Sequence, residues 1–153
     1  MLQRTHLAIT IFFILAFISI VEHKLVFVLV ALFATFLPDL DSRYSKLGHR
    51  KIARILQFFT KHRGMIHSFT FLLSVTILLI LVLPVVALGF FLGYGLHLFA
   101  DAFTPEGIKS FYPWKRKSTG GIKTGGRIEI IVFVVFLILD IFMVFGRVFM
   151  MRI

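Results

Sequence analysis

The chain has 153 residues, 59% of them hydrophobic, and its mean hydropathy of +0.98 is too high for a soluble globule of this size. The formal net charge of +10 could suggest nucleic acid. However, the cations lie between apolar blocks, where membrane topology and anionic headgroups explain them equally well, so we expect no bound nucleic acid. With no Cys, disulfides, thiolate metal sites and cysteine nucleophiles are excluded.

The apolar residues come in long blocks, which predict an all-α integral membrane bundle of about five short spans in a single domain, 1–153. The first two helices are expected over about 5–22 and 24–38, joined by a tight polar turn at 22–24. Each is short for a hydrocarbon core of about 30 Å, so flanking polar residues must reach the interface or the bilayer must thin. The acidic PDLD segment, 38–41, follows the second helix.

A polar segment comes next, and a surface helix is predicted within it over about 46–61. Its apolar residues recur at helical spacing, at Ile52, Ile55, Leu56 and Phe59. The pattern describes a basic amphipathic helix lying on the membrane, and describes equally well a surface helix packed on the protein itself.

A second helical pair is predicted over about 66–83 and 85–103. Their combined apolar run is too long for one span, so Pro84 marks a reversal rather than a kink. A second polar segment follows, and its glycine-rich sequence STGGIKTGG, 118–126, is interpreted as flexible. The last span is expected over about 127–150.

Lys and Arg are distributed unequally between the two sides of this predicted bundle. The two polar segments and Arg4 together carry fourteen cations, whereas the other side keeps three. Because cytoplasmic loops are enriched in Lys and Arg, the N-terminus and both polar segments are predicted to be cytoplasmic, with the C-terminus outside the cell membrane.

Alternating helices bring several candidate ligands to this same side, because odd helices begin there and even helices end there. The candidate metal ligands are His6, Asp39, Asp41, His62, His67, His97 and Asp101. His97 and Asp101 are four residues apart, which puts both on one helical face. Each residue alone has an ordinary structural explanation, but their shared location favours a site.

Four His and three Asp are too many for one tetrahedral ion, so two divalent ions bridged by an aspartate are expected. Ligands that offer only nitrogen and oxygen fit zinc, the favoured ion, and also manganese or iron.

With these motifs assembled, the chain resembles the YdjM-like family of membrane-bound metal-dependent hydrolases. The carrying motifs are THLA at His6, LPDLDS at Asp39 and Asp41, HRGMIHS at His62 and His67, and GYGLHLFADAFTPEG at His97 and Asp101. The resemblance implies a helical membrane bundle with a metal-dependent hydrolase site. More remotely, the pattern is similar to zinc-dependent phospholipase C and P1-type nucleases, which act on phosphodiesters.

The function expected first is therefore hydrolysis of a phosphoester, on a phospholipid or another anionic substrate, by metal-activated water at the cytoplasmic face. Arg63 and the basic trio 115–117 could hold the anionic group, although retention of cytoplasmic loops explains the trio equally well. Asp39 or Asp41, whichever does not bridge, could act as general base. Glu129 is a weaker candidate for ligand or base, and a carboxylate favoured by the helix N-terminus is slightly preferred there.

Two other classes stay open. A divalent-cation transporter or sensor would place its site near the bilayer midplane, where Asp140 alone is expected. A hydrogen bond from Asp140 to Tyr94, Ser74 or Thr76 is preferred to a second polar site. In the third class the polar residues only hold the helices together. The oligomeric state is not predicted.

Overall fold

In a computed structural model, residues 1–41, 65–114 and 116–150 can be described, and this part of the chain is all-α, as predicted. Its helices are α1 (Gln3–Phe17), α2 (Lys24–Phe36), α3 (Phe69–Val82), α4 (Pro84–Ala102) and α5 (Arg127–Met150). A short 3-10 helix, Pro38–Asp41, follows α2. The predicted surface helix, 46–61, lies outside the described residues.

Specific hydrogen bonds stabilise two of the helix ends. Helix α1 ends at Phe17 rather than near residue 22, and the Arg147 guanidinium of α5 donates to the Leu15 carbonyl and to Ser19 Oγ there. Carbonyls at a helix C-terminus lack partners within the helix, so this contact stabilises the early end. Helix α3 starts at Phe69 because Ser68 Oγ accepts from Phe71 N, an ordinary N-cap.

Helix α4 is the centre of the bundle and packs against α1, α2 and α3. Its Gly89 and Gly93 lie one turn apart and face α2. A Cβ on Gly93 would come within 2.0 Å of the Ala31 carbonyl oxygen, and one on Gly89 within 2.9 Å of that of Phe27. Small residues at this spacing let two helices approach closely. The pair therefore allows close contact between α2 and α4 one helical turn before His97.

Helices α1 and α5 run parallel. Phe12 packs edge-on against Phe136 near the middle of the pair, with ring centroids 5.5 Å apart. Towards the starts of the two helices, Thr5 Oγ1 donates to Glu129 at 3.0 Å, and towards their ends Arg147 reaches the Leu15 carbonyl. The N-termini of α1 and α5 therefore lie at the same end of the bundle.

The segment between α4 and α5 is held by hydrogen bonds, and the interpretation of 118–126 as flexible was wrong for its first half. Ile108 and Ser118 form an isolated antiparallel bridge. Gly120 N donates to the Thr104 carbonyl and Ile122 N to that of Phe103, both at 3.0 Å. A Cβ on Gly120 would lie 2.4 Å from the Phe103 carbonyl oxygen, so glycine is needed at this position for packing.

Two of the described helices are long and apolar enough to cross a membrane by length and composition, Pro84–Ala102 and Arg127–Phe149. The other three α-helices are apolar but shorter, with 13 to 15 residues. Helix α5 is the most exposed of the described helices, and its long apolar face is covered only where it meets α1.

Asp140 does not make the hydrogen bond that was preferred for it. Tyr94 Oη donates instead to the Ile66 carbonyl at 2.7 Å. Asp140 is buried, and its Oδ1 has no hydrogen-bond partner among the described residues. The reason is that α5 packs on α1, whereas Tyr94 and Thr76 belong to the α3–α4 pair.

Candidate metal centre

Three histidines surround one aspartate at the end of the bundle where α1 and α5 begin. His6 lies in the first turns of α1, His67 directly before the cap of α3, and His97 in the last turns of α4. Asp101 lies one turn beyond His97. All four are at most 2% exposed. These four residues come from three separate chain segments and lie close together, as predicted.

The separations within this group are those of ligands around an ion. His6 Nε2 lies 3.3 Å from Asp101 Oδ1, and the Nε2 atoms of His67 and His97 each lie 3.6 Å from Asp101 Oδ2. These distances exceed the range of about 2.7–3.2 Å for N–H···O hydrogen bonds. Ligands bound tetrahedrally at about 2.0–2.1 Å are about 3.3–3.4 Å apart. The spacing therefore leaves room for an ion.

Asp39 extends the cluster from the 3-10 helix after α2. Its Oδ1 lies 3.8 Å from His97 Nε2, and its side chain is 19% exposed, more than those of the four residues above. Two sets of potential ligands result, which share His97. One contains His6 and Asp101, the other Asp39 and His67.

Asp101 is the residue of this cluster that faces all three histidines. One of its oxygens faces His6, and the other faces both His67 and His97. The imidazole rings of His6 and His97 are stacked, 4.0 Å between centroids with 9° between planes. The Nε2 atoms of the two stacked rings face opposite oxygens of the Asp101 carboxylate, so this carboxylate could serve as a ligand beside either imidazole.

His97 is oriented by the backbone of α2. Its Nδ1 lies 2.8 Å from the Thr35 carbonyl oxygen, and since a carbonyl can only accept, Nδ1 carries the proton. In a neutral ring the lone pair is then on Nε2, which is buried and without a hydrogen-bond partner among the described residues. Histidine ligands commonly donate their other ring N–H to a carbonyl in this way.

The cluster also accommodates positive charge. The amino group of Met1 lies 2.5 Å from Asp101 Oδ1, and both groups are nearly buried. His6 Nδ1, like His97 Nε2, has no hydrogen-bond partner among the described residues. Imidazole nitrogens beside a carboxylate are a donor set that suits a divalent transition metal.

Glu129 is placed next to the cluster rather than in it. Its side chain accepts hydrogen bonds from Leu2 N at 2.5 Å, Thr5 Oγ1 at 3.0 Å and Gly125 N at 2.5 Å. These contacts join the start of α5 to the start of α1, one residue from His6. The preference for a carboxylate at a helix N-terminus fits this position, although Glu129 serves α1 as well as its own helix.

The structure leaves some predicted residues without a description. The Asp41 backbone belongs to the 3-10 helix, but its side chain is outside the described part, as are His62, Arg63 and Lys115. Sequence reasoning also missed the Thr35 carbonyl, which no side-chain pattern could reveal. It missed the pair Gly89 and Gly93 too, although their spacing of four was a visible signal.

The fold and this cluster define a class: an apolar all-α protein whose buried His and Asp residues could hold a metal. A family model described as "YdjM inner membrane protein" matches residues 1–151, and the chain belongs to this family. The protein is therefore an inner membrane protein associated with the lipid bilayer, and the family resemblance seen in its motifs is confirmed. No curated protein and no solved structure matches the chain. The more remote similarity to phospholipase C and P1-type nucleases stays a prediction.

Proposed function

We propose that this protein is a membrane-bound, metal-dependent hydrolase that cleaves a phosphoester at the cytoplasmic face of the inner membrane. The observation that carries the proposal is the geometry of Asp101, whose two oxygens face three imidazole Nε2 atoms at 3.3–3.6 Å. A divalent ion at these residues would supply a Lewis acid that activates water and stabilises developing negative charge. Zinc is the preferred ion, with manganese or iron as alternatives, and two ions is the proposed number.

The chain's own residues have distinct roles in this proposal. His6, His67, His97 and Asp101 hold the ions, and the Thr35 carbonyl orients His97. Asp39 is the most exposed carboxylate of the cluster, so it is the one best placed to meet substrate or water and to act as general base. The proposal retains Asp41 and His62 as further metal ligands. It retains Arg63 as a contact for the anionic group of the substrate.

In the proposed membrane arrangement all five α-helices span the bilayer. The parallel course of α1 and α5 supports it, as does the position of the cluster where α1 and α5 begin and α4 ends. The distribution of Lys and Arg supports a cytoplasmic position for the cluster and the N-terminus in this arrangement. Helices of 13 to 15 residues are short for a span, so the bilayer would be thin around them.

Purified protein assayed against a panel of water-soluble and lipid phosphoesters tests this function. We expect metal-dependent release of phosphate or alcohol by the wild type. Asp101→Asn should lower kcat/KM by at least about 100-fold, since losing even a residue that only orients a ligand costs about 10–100-fold. Asp140→Asn, which removes a buried carboxylate from α5, is the matched control. No turnover by the metal-loaded wild type, together with zinc or manganese uptake into proteoliposomes that His97→Ala abolishes, would contradict the hydrolase and support a transporter.

A further inference from the structure

The connection between α4 and α5 contains a loop that exposes both aromatic and cationic side chains. In this loop, residues 111–117 and called the aromatic loop below, Phe111, Tyr112 and Trp114 are 57%, 38% and 71% exposed. Arg116 and Lys117, which follow them, are exposed as well. Exposed apolar patches that are bordered by polar residues mark sites where a protein contacts another protein or a membrane.

The aromatic loop has a defined shape. At its base, Ser110 Oγ and Ser118 Oγ lie 2.6 Å apart, next to the antiparallel bridge that Ser118 forms. Within the loop, Trp114 N donates to the Phe111 carbonyl at 2.8 Å, which makes a turn. Phe111 and Lys117 each adjoin one of the two bonded serines, so the backbones of the aromatic and the cationic parts of the loop are close in space.

Described contacts place the aromatic loop beside the ends of two helices. Phe69 N, at the start of α3, donates to the Ser110 carbonyl at 2.9 Å, and the rings of Phe69 and Phe111 are in contact, with centroids 6.5 Å apart. The Thr104 carbonyl, just after the end of α4, accepts from Gly120 N. Helix α4 is long and apolar enough to cross a membrane. The loop therefore lies at the end of such a span, where the interface between membrane and water is expected.

We propose that the aromatic loop is a membrane anchor that binds anionic lipid headgroups. Trp114 and Phe111 insert at the level of the headgroups, and Arg116 and Lys117 pair with lipid phosphates. Tryptophan is enriched at membrane interfaces because its ring is apolar and its N–H is polar. Lys and Arg near an anionic bilayer surface are attracted to it. A bilayer is the favoured partner because the loop belongs to an inner membrane protein and adjoins a candidate span.

Trp114 makes this proposal directly testable, because it is the only tryptophan of the chain. Its fluorescence therefore reports on the aromatic loop alone. Full-length protein is reconstituted into liposomes of equimolar phosphatidylcholine and phosphatidylglycerol, with bromine on the acyl chains of one lipid or of the other. Bromine quenches tryptophan at short range, so the quenching shows which lipid lies beside the loop. Acrylamide, a quencher that stays in water, reports the exposure of the same ring to water.

We expect brominated lipid to quench Trp114, and brominated phosphatidylglycerol to quench it more strongly than brominated phosphatidylcholine. Arg116→Gln combined with Lys117→Gln should lower this preference at least about fivefold, the contribution of one Lys or Arg near an anionic surface. The matched control is Lys123→Gln combined with Arg127→Gln, which removes two exposed cations outside the loop and should keep the preference.

Quenching of Trp114 by acrylamide but by neither brominated lipid would overturn the membrane anchor and indicate a partner in water. Equal quenching by the two brominated lipids, or a preference that the double variant of the loop leaves unchanged, would overturn the binding of anionic headgroups. These measurements need neither metal nor turnover. The anchor and the proposed hydrolase can therefore fail independently of each other.

Discussion

The Thr35 carbonyl oxygen lies 2.8 Å from His97 Nδ1, which joins the backbone of α2 to the central imidazole of the cluster. The carbonyl fixes the ring's tautomer and leaves Nε2 directed at Asp101 and Asp39. The Thr35 side chain is itself held, donating to the Ala31 carbonyl at 2.8 Å and pairing with Thr10. The close packing of α2 on α4 is therefore a condition of the site geometry.

Loss of His97 should disturb metal binding more than loss of any other histidine of the cluster. His97 belongs to both potential ligand sets, whereas His6 belongs to one. Because its Nδ1 donates to Thr35, His97 offers one nitrogen and binds one ion in whichever set is occupied, so we expect His97→Ala to retain less transition metal than His6→Ala. Elemental analysis of the purified variants measures this, with circular dichroism as the check on folding. Equal metal content in the two variants would contradict the shared role of His97.

Substitution of Gly93 should destabilise the bundle. Gly93→Ala puts a Cβ 2.0 Å from a backbone oxygen of α2 that cannot move independently, so we expect a loss of about 1–3 kcal/mol, the usual cost of overpacking. Gly146→Ala, with open space around it, should change stability little. The midpoint of thermal unfolding in detergent distinguishes them. A Gly93→Ala protein as stable as the wild type would mean that α2 and α4 are not in this contact.

Glu129→Gln should loosen the start of α1. A glutamine keeps one acceptor oxygen but presents an amide donor to the remaining partner among Leu2 N, Thr5 Oγ1 and Gly125 N. We expect a stability loss of about 1–3 kcal/mol, the cost of a buried group left unsatisfied. Because His6 lies beside these contacts, the variant should also bind metal more weakly. The exposed Glu22→Gln is the control, and full metal content in Glu129→Gln would count against a positioning role.

The loop between α4 and α5 offers a separate test. Gly107 has a φ of +59°, and a Cβ there would lie 2.2 Å from the Ser118 carbonyl oxygen. Gly107→Ala should therefore break the bridge and free the backbone around the exposed basic residues of the loop. We expect trypsin to cleave at Arg116 and Lys117 several-fold faster than in the wild type, in line with about 1–3 kcal/mol of strain. Gly121→Ala, which meets nothing within 4 Å, should digest at the wild-type rate.

The sequence predicted much of the fold because its helices are marked by strong local signals. The apolar blocks predicted the five helices, and Pro84 indicated where α4 begins. The early end of α1 could not be predicted from the sequence, because it is stabilised by Arg147, which lies 132 positions from Leu15 in the chain. Asp140 was misjudged for a similar reason, since hydropathy does not tell which helix a buried face meets.

For the site, the alternating direction of the predicted helices was sufficient to predict that His6, His67, His97 and Asp101 lie at the same end of the bundle. The direction of each side chain was not predictable, since it depends on close packing at Gly93 and on the backbone carbonyl of Thr35. Glu129 shows the limit most clearly. Its position at the start of α5 was read correctly, but its contacts with Leu2 and Thr5 depend on the parallel packing of α1 and α5.

The central claim is that this cluster of His and Asp residues holds metal, and elemental analysis of the purified full-length protein tests it most directly. Protein isolated without added metal should contain about two transition-metal ions per chain, predominantly zinc. Asp101→Asn should lose both ions, and the control Asp140→Asn should retain them. Fewer than one tightly bound transition metal per chain in the wild type, or equal metal content in the two variants, would contradict the claim.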